Sequence, residues 1–172
     1  KSGQFSVSSI DHPAPADYRF PVELRLVSEV EEEVENRLKL YREMPGNTSP
    51  KEASPSSLKH LGIYRGAAGV WVDKKRTRRV AENEAGITVS VLHTGSSYPD
   101  DLTNDGLIYH YPNTDRPPAR DAAEIEATKE AGRLQAPVFV ITYPSLNARL
   151  RNVVLGWVEG WDDARKIFLI TF

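Results

Sequence analysis

Beyond residue 55 the spacing of apolar residues in this chain switches from three-and-four to two, which restricts the fold to a leading helix followed by a sheet. Between 21 and 43, Val27, Val30, Val34, Leu38 and Tyr41 recur at helical spacing, and the interior holds no Gly or Pro. A loop rich in Pro, Ser, Gly and Asn covers 44–55 (MPGNTSPKEASP). Six segments then alternate or run apolar as strands do: 69–73 (GVWVD), 87–93 (ITVSVLH), 107–111 (LIYHY), 138–143 (VFVITY), 153–158 (VVLGWV) and 166–172 (KIFLITF). One helical pattern, from Arg120 to about Leu134, interrupts them, and no internal repeat is present. The expected class is α+β: a curved mixed sheet or barrel with a long N-terminal helix and one internal helix. Residues 1–17 are polar and broken by Pro13 and Pro15, an irregular lead. The chain divides on this reading into 1–55, lead, helix and loop, and 56–172, the sheet domain.

Charge bounds the partners. Over 172 residues, 22 Lys and Arg face 24 Asp and Glu, for a net charge of −2, so any nucleic-acid site has to be a local patch. The helix at 21–43 carries Glu29, Glu31, Glu32, Glu33 and Glu35 early and Arg37, Lys39 and Arg42 late, an order that suits the helix dipole. Its acidic run is expected to be a solvated face that repels DNA and sits away from any DNA groove. The helix has the form of a packing or dimerising element, so a homodimer is one expectation. The absence of Cys excludes disulfides, thiolate nucleophiles, iron–sulfur clusters and Cys-ligated zinc. No apolar run approaches the ~20 residues of a membrane span, and no secretory or transit signal is present, so no membrane partner is expected. A start at Lys1 and a strand that ends at Phe172 suggest a piece of a longer chain.

The candidates for chemistry are few. His12, His60, His93 and His110 include no i,i+4 pair and no HExxH, so no metal site is expected, although His93 and His110 lie near strand ends. No P-loop, Rossmann glycine pattern, supported GxSxG or HNH signature can be assembled. The chain reads as catalytically empty and cofactor-free. An enzyme reading would have to use His93, His110 and Asp121 with a divalent metal. Lys74, Lys75, Arg76, Arg78 and Arg79 put five cations into six residues directly after a strand. Such a segment is either a solvated loop or a phosphate clamp, which supplies affinity and salt dependence but no base recognition.

The most informative stretch lies between the strands at 87–93 and 107–111. Thr94-Gly95-Ser96-Ser97 leads into Tyr98-Pro99-Asp100-Asp101, then the turn Asp105-Gly106, then Tyr109-His110-Tyr111-Pro112 and the pair Arg120-Asp121. With GIYRGAAGVWVD before it and APVFVI after it, this ordered set resembles the SET- and RING-associated (SRA, or YDG) domain, a PUA-like barrel that binds modified cytosine in DNA. The variant is similar to the SRA-like modules of bacterial HNH-type, modification-dependent (type IV) restriction endonucleases. The resemblance spans about Leu58 to Phe172. The interval from Tyr98 to Tyr111 is about one residue longer than in eukaryotic members, and Arg120-Asp121 leads straight into a helix, without room for their Asn-Lys-Arg finger.

The resemblance implies a non-catalytic reader of 5-methylcytosine, or of 5-hydroxymethylcytosine, in double-stranded DNA. The base would be flipped between Tyr98 and Tyr111, with Asp101 on its edge and Gly95, Ser96, Ser97 and Pro112 around it. Lys74, Lys75, Arg76, Arg78, Arg79 and Arg120 would hold phosphates. It further implies a downstream nuclease domain in the intact protein and a place in the bacterial cytoplasm with the nucleoid. The residues alone leave a second reading open, a PUA-like module for RNA or unmodified nucleic acid in which the aspartates are turn residues.

Overall fold

The computed structural model describes residues 22–66, 68–81, 85–96 and 101–172. Its elements run α1 (Val22–Glu43), β1 (Lys51–Ala53), α2 (Pro55–His60), β2 (Val70–Val72), α3 (Lys74–Thr77), β3 (Thr88–His93), β4 (Gly106–His110), α4 (Pro118–Arg133), β5 (Val138–Thr142), β6 (Arg151–Asp162) and β7 (Ile167–Thr171). The class is α+β. Seven strands form one mixed sheet in the order β2-β3-β5-β6-β7-β4, with β1 paired to β6. Only β3 and β5 run parallel. The sheet does not close into a barrel: β2 and β4 stand at opposite ends, and no strand pairing among the described residues joins them.

β5 explains the apolar run Val-Phe-Val-Ile. Flanked by β3 and β6 and covered on both faces, it has no solvent side to mark with polar residues. Val138 and Val140 enter one core with Val91, Val158, Phe168 and Ile170, which Ala131 and Ile125 of α4 help to cover. Phe139 and Ile141 enter the other, with Leu58, Ile63, Val89, Val153 and Leu155. α1 contributes to both, through Val30 and Val34 to the first and Leu38 and Tyr41 to the second, while Val27 stays 55% exposed. Three short elements, β1, α2 and α3, arise where the sequence marks no regular structure. β1 pairs with β6, and α2 starts at Ser54-Pro55, where the Ser54 hydroxyl accepts from Ser57 N at 3.1 Å. No helix among the described residues is long and apolar enough to cross a membrane.

The acidic face of α1 differs from expectation. Glu33 and Arg37 are 1% and 0% exposed. Arg37 Nε donates to Glu33 Oε1 at 2.8 Å, and Arg37 Nη1 donates to the carbonyls of Thr88 and Pro137, each at 2.8 Å. Because β3 and β5 are parallel neighbours, their first residues lie side by side, and these two carbonyls need donors that the ladder does not supply. The guanidinium supplies them and Glu33 neutralises it. Burial pulls the Arg37 pKa down, and the Glu33 carboxylate opposes that fall. Arg76 Nη2 also reaches Glu33 Oε1, at 3.2 Å, and Arg79 Nη1 reaches Glu32 Oε2 at 3.0 Å. The acidic run is therefore not a wholly solvated face. It is bonded to the basic segment rather than held apart from it, although Glu31 and Glu35 remain exposed.

Candidate functional site

β3 ends at His93 and passes into Thr94-Gly95-Ser96, where Gly95 adopts φ +74°. The Thr94 and Ser96 hydroxyls pair at 2.8 Å, and Ser96 N donates to Thr94 Oγ1 at 3.4 Å, a small hydroxyl-stabilised turn. Ser97, Tyr98 and Asp100 lie outside the described residues. From Asp101 the chain forms a hairpin with β4. Leu102 bridges Leu107, and Thr103 N donates to the Gly106 carbonyl at 2.9 Å. Gly106 is required by close approach, since a Cβ there would lie 2.6 Å from the Ile170 carbonyl of β7. The hairpin sets the Asp101 carboxylate against His110, with Oδ2 to Nε2 at 2.7 Å.

His93 arrives at the same place from β3. Its Nε2 is buried without a hydrogen-bond partner, and the charges of Asp101 and His110 both reach it. Burial holds its pKa below the ordinary 6.5, His110 adds to the depression and Asp101 opposes it. The folded state thus takes up this proton less readily than the unfolded chain. Its stabilising contribution is complete above about pH 6.5 and is lost as pH falls below that value toward the lower folded pKa. Urea midpoints measured downward from neutral pH should show this decline, and His93→Asn should flatten it.

His93, Thr94, Gly95, Ile108, Tyr109 and His110 line a cavity of about 180 Å³. That is below the ~300–1,000 Å³ of sites for drug-sized ligands and suits a single ring. His93 and His110 bring imidazoles to the cavity wall, and the Asp101 carboxylate is joined to that wall through its bond to His110 Nε2.

Tyr111 faces the other side of the strand. Its ring packs against Phe168 with centroids 4.5 Å apart, and its hydroxyl donates to Asp163 Oδ1 at 2.9 Å. Burial and Asp163 together push its phenol pKa up. The structure therefore brings His110, not Tyr111, to Asp101. Pro112 follows Tyr111, half-buried. Asp121 accepts from Thr114 N at 2.8 Å, Thr114 Oγ1 at 2.9 Å and Arg116 Nη2 at 2.6 Å, which fastens residues 114–116 to α4. These bonds hold its pKa below the usual carboxylate range. Its carboxylate is taken up by Thr114 and Arg116, and His93, His110 and Asp121 form no metal-holding group. No group of three metal-ligating side chains occurs among the described residues.

The basic segment is a one-turn helix, α3, capped by the Asp73 carboxylate, which accepts from Arg76 N at 3.2 Å. Its cations divide into two groups. Arg76 and Arg79 are engaged with Glu33 and Glu32, whereas Lys74, Lys75 and Arg78 are exposed and form no ion pair among the described residues. Arg120 is 65% exposed, with one contact of 3.8 Å to Glu124. The sequence reading used His93 and His110 only for metal chemistry and passed over Arg65. The signal for the histidines was their position at two strand ends flanking the Tyr98–Asp101 segment. Comparison of the chain with protein-family models, with curated proteins and with solved structures finds no match.

Proposed function

We propose that this chain is a non-catalytic, SRA-like module of the PUA-like class that reads a modified cytosine in double-stranded DNA by taking the base into the cavity at His93, Asp101 and His110. The observation that carries the reading is the Asp101–His110 pair beside the unpartnered His93 Nε2, at a cavity the size of one ring. Asp101 accepts from the exocyclic amine of the base, as carboxylates do with cytosine. The His93 imidazole lies along the ring edge, and the small residues Gly95 and Ser96 admit the pyrimidine to the backbone. Extrusion costs a few kcal/mol, and stacking returns about 1–3 kcal/mol for each aromatic face. Tyr98 supplies one face. The imidazole of His110, on the side of β4 opposite Tyr111, takes the part of the second, while Tyr111 supports the strand from behind. In the intact protein the module directs a fused HNH-type nuclease to modified DNA.

A competition assay at fixed salt tests this, with identical duplexes carrying cytosine, 5-methylcytosine or 5-hydroxymethylcytosine at one position. Burial of one methyl contributes about 0.8 kcal/mol, so the wild-type chain is expected to prefer the methylated duplex by roughly fourfold or more. Asp101→Ala should bind all three alike while remaining folded. Equal binding by the wild type would favour a module for unmodified nucleic acid or RNA.

A further inference from the structure

A second concavity, of about 640 Å³, opens between β2 and the first turn of α4. Three of its lining residues are cations from separate parts of the chain: Arg65 before β2, Lys74 at the start of α3 and Arg120 in α4. The Arg65 guanidinium lies 4.7 Å from the centroid of the Trp71 ring, and Trp71 is fixed by its indole N–H donating to the Gly62 carbonyl at 3.1 Å. An arginine stacked on an aromatic face keeps its planar set of N–H donors available at the edge for an oxyanion. Lys74 forms no ion pair among the described residues, and Arg120 has only its long contact with Glu124. Glu124 is the one carboxylate among the described lining residues, and Arg116 already bonds both its oxygens, each at 2.8 Å. Asp73, beside Lys74, is engaged in capping α3. The groove therefore gathers more positive charge than its one carboxylate, already bonded to Arg116, can match.

Groove and cavity share a wall. Ala68 and Val70 line the groove, and between them the Gly69 carbonyl accepts from Leu92 N at 2.7 Å. A Cβ on Gly69 would stand 3.0 Å from the Tyr109 hydroxyl, and both Leu92 and Tyr109 line the cavity. We infer that Arg65, Lys74 and Arg120 form a phosphate track that holds the backbone of the nucleic-acid strand whose base enters the adjoining cavity. The choice of strand rests on the base-reading proposal; the phosphate track itself does not. The track assigns backbone binding to side chains from the segment before β2, from α3 and from α4, and leaves Arg76 and Arg79 to their contacts with α1.

The test is the salt dependence of binding by the whole chain to a 5-methylcytosine duplex and its unmodified twin, between about 50 and 200 mM salt. Each phosphate contact adds about 0.9 to the slope of log affinity against log salt, so Arg65→Ala/Lys74→Ala/Arg120→Ala should flatten the slope by about 2–3. The loss should be equal for both duplexes, leaving their affinity ratio as in the wild type. Arg79→Ala, which removes a cation already bonded to Glu32, should keep the wild-type slope. All these side chains are at the surface, and thermal unfolding verifies that each variant is folded. An unchanged slope in the triple variant, or an equal fall in Arg79→Ala, overturns the track even where the wild type discriminates modified DNA. A flattened slope with no discrimination by the wild type supports the track and removes the base-reading proposal. Failure of the wild type to bind either duplex removes both.

Discussion

Arg37→Met is expected to destabilise the fold by about 3–5 kcal/mol, the range found when one member of a buried ion pair is removed. For a domain of this size that is a fall in Tm of about 6–20 °C. The cost has two parts. Glu33, 1% exposed, keeps a charge that the partly exposed Arg76 only partly matches, and the Thr88 and Pro137 carbonyls lose their donor at the base of β3 and β5. Urea and thermal unfolding measure the loss. The double variant Glu33→Leu/Arg37→Met separates the parts: it should regain much of the stability, because the stranded carboxylate is gone and Arg76 can reach water. A single-variant loss below about 1 kcal/mol would show that water reaches these groups in solution, since exposed pairs contribute only that much.

Phe168→Ala is expected to cost about 3–5 kcal/mol and to weaken the candidate site as well. Phe168 is 0% exposed and sits on β7, in register with Tyr109 of β4 and Trp161 of β6. Its ring supports Tyr111 from the core side. His110 lies between those two tyrosines, so a cavity behind them releases the strand that holds His110 at 2.7 Å from Asp101. Two readouts distinguish packing from positioning: the urea midpoint, and the affinity ratio for modified over unmodified duplex. Phe168→Leu keeps most of the volume and should lose less than about 1.5 kcal/mol, with the ratio close to the wild type. A destabilised Phe168→Ala that keeps the full ratio would mean that the β4–β7 ladder alone positions His110.

Local pattern was enough for much of this fold, because hydrophobic period and turn chemistry act within a few residues. The long N-terminal helix, the helix after Pro117-Pro118 and the six principal strands are all marked in the residues themselves. The doubly buried character of β5 is visible in its unbroken apolar run, and the Asp105-Gly106 turn is legible as an Asp-Gly pair, whereas the close approach of β7 that leaves room only for a glycine there is a tertiary fact. Short elements were hidden. β1 exists only because β6 is there to pair with it, and α2 begins at a Ser-Pro step that also marks loops.

The contents of the site depended on facts that lie beyond local sequence. Glu33 and Arg37 are an i,i+4 pair like many on solvated helices, and nothing near them announces that α1 crosses the adjoining starts of two parallel strands. Along 109–111, Tyr-His-Tyr is equally compatible with two opposite assignments of faces. Successive residues of a strand point to opposite sides, so a shift of one residue in the pairing of β4 with β7 would exchange His110 for its tyrosine neighbours. Composition and order determined that an aspartate, histidines and tyrosines would gather between two strand ends. Only the register, set by long-range pairing and by the packing of Phe168 behind the strand, decided that the imidazole of His110 meets Asp101 and the phenol of Tyr111 turns to Asp163.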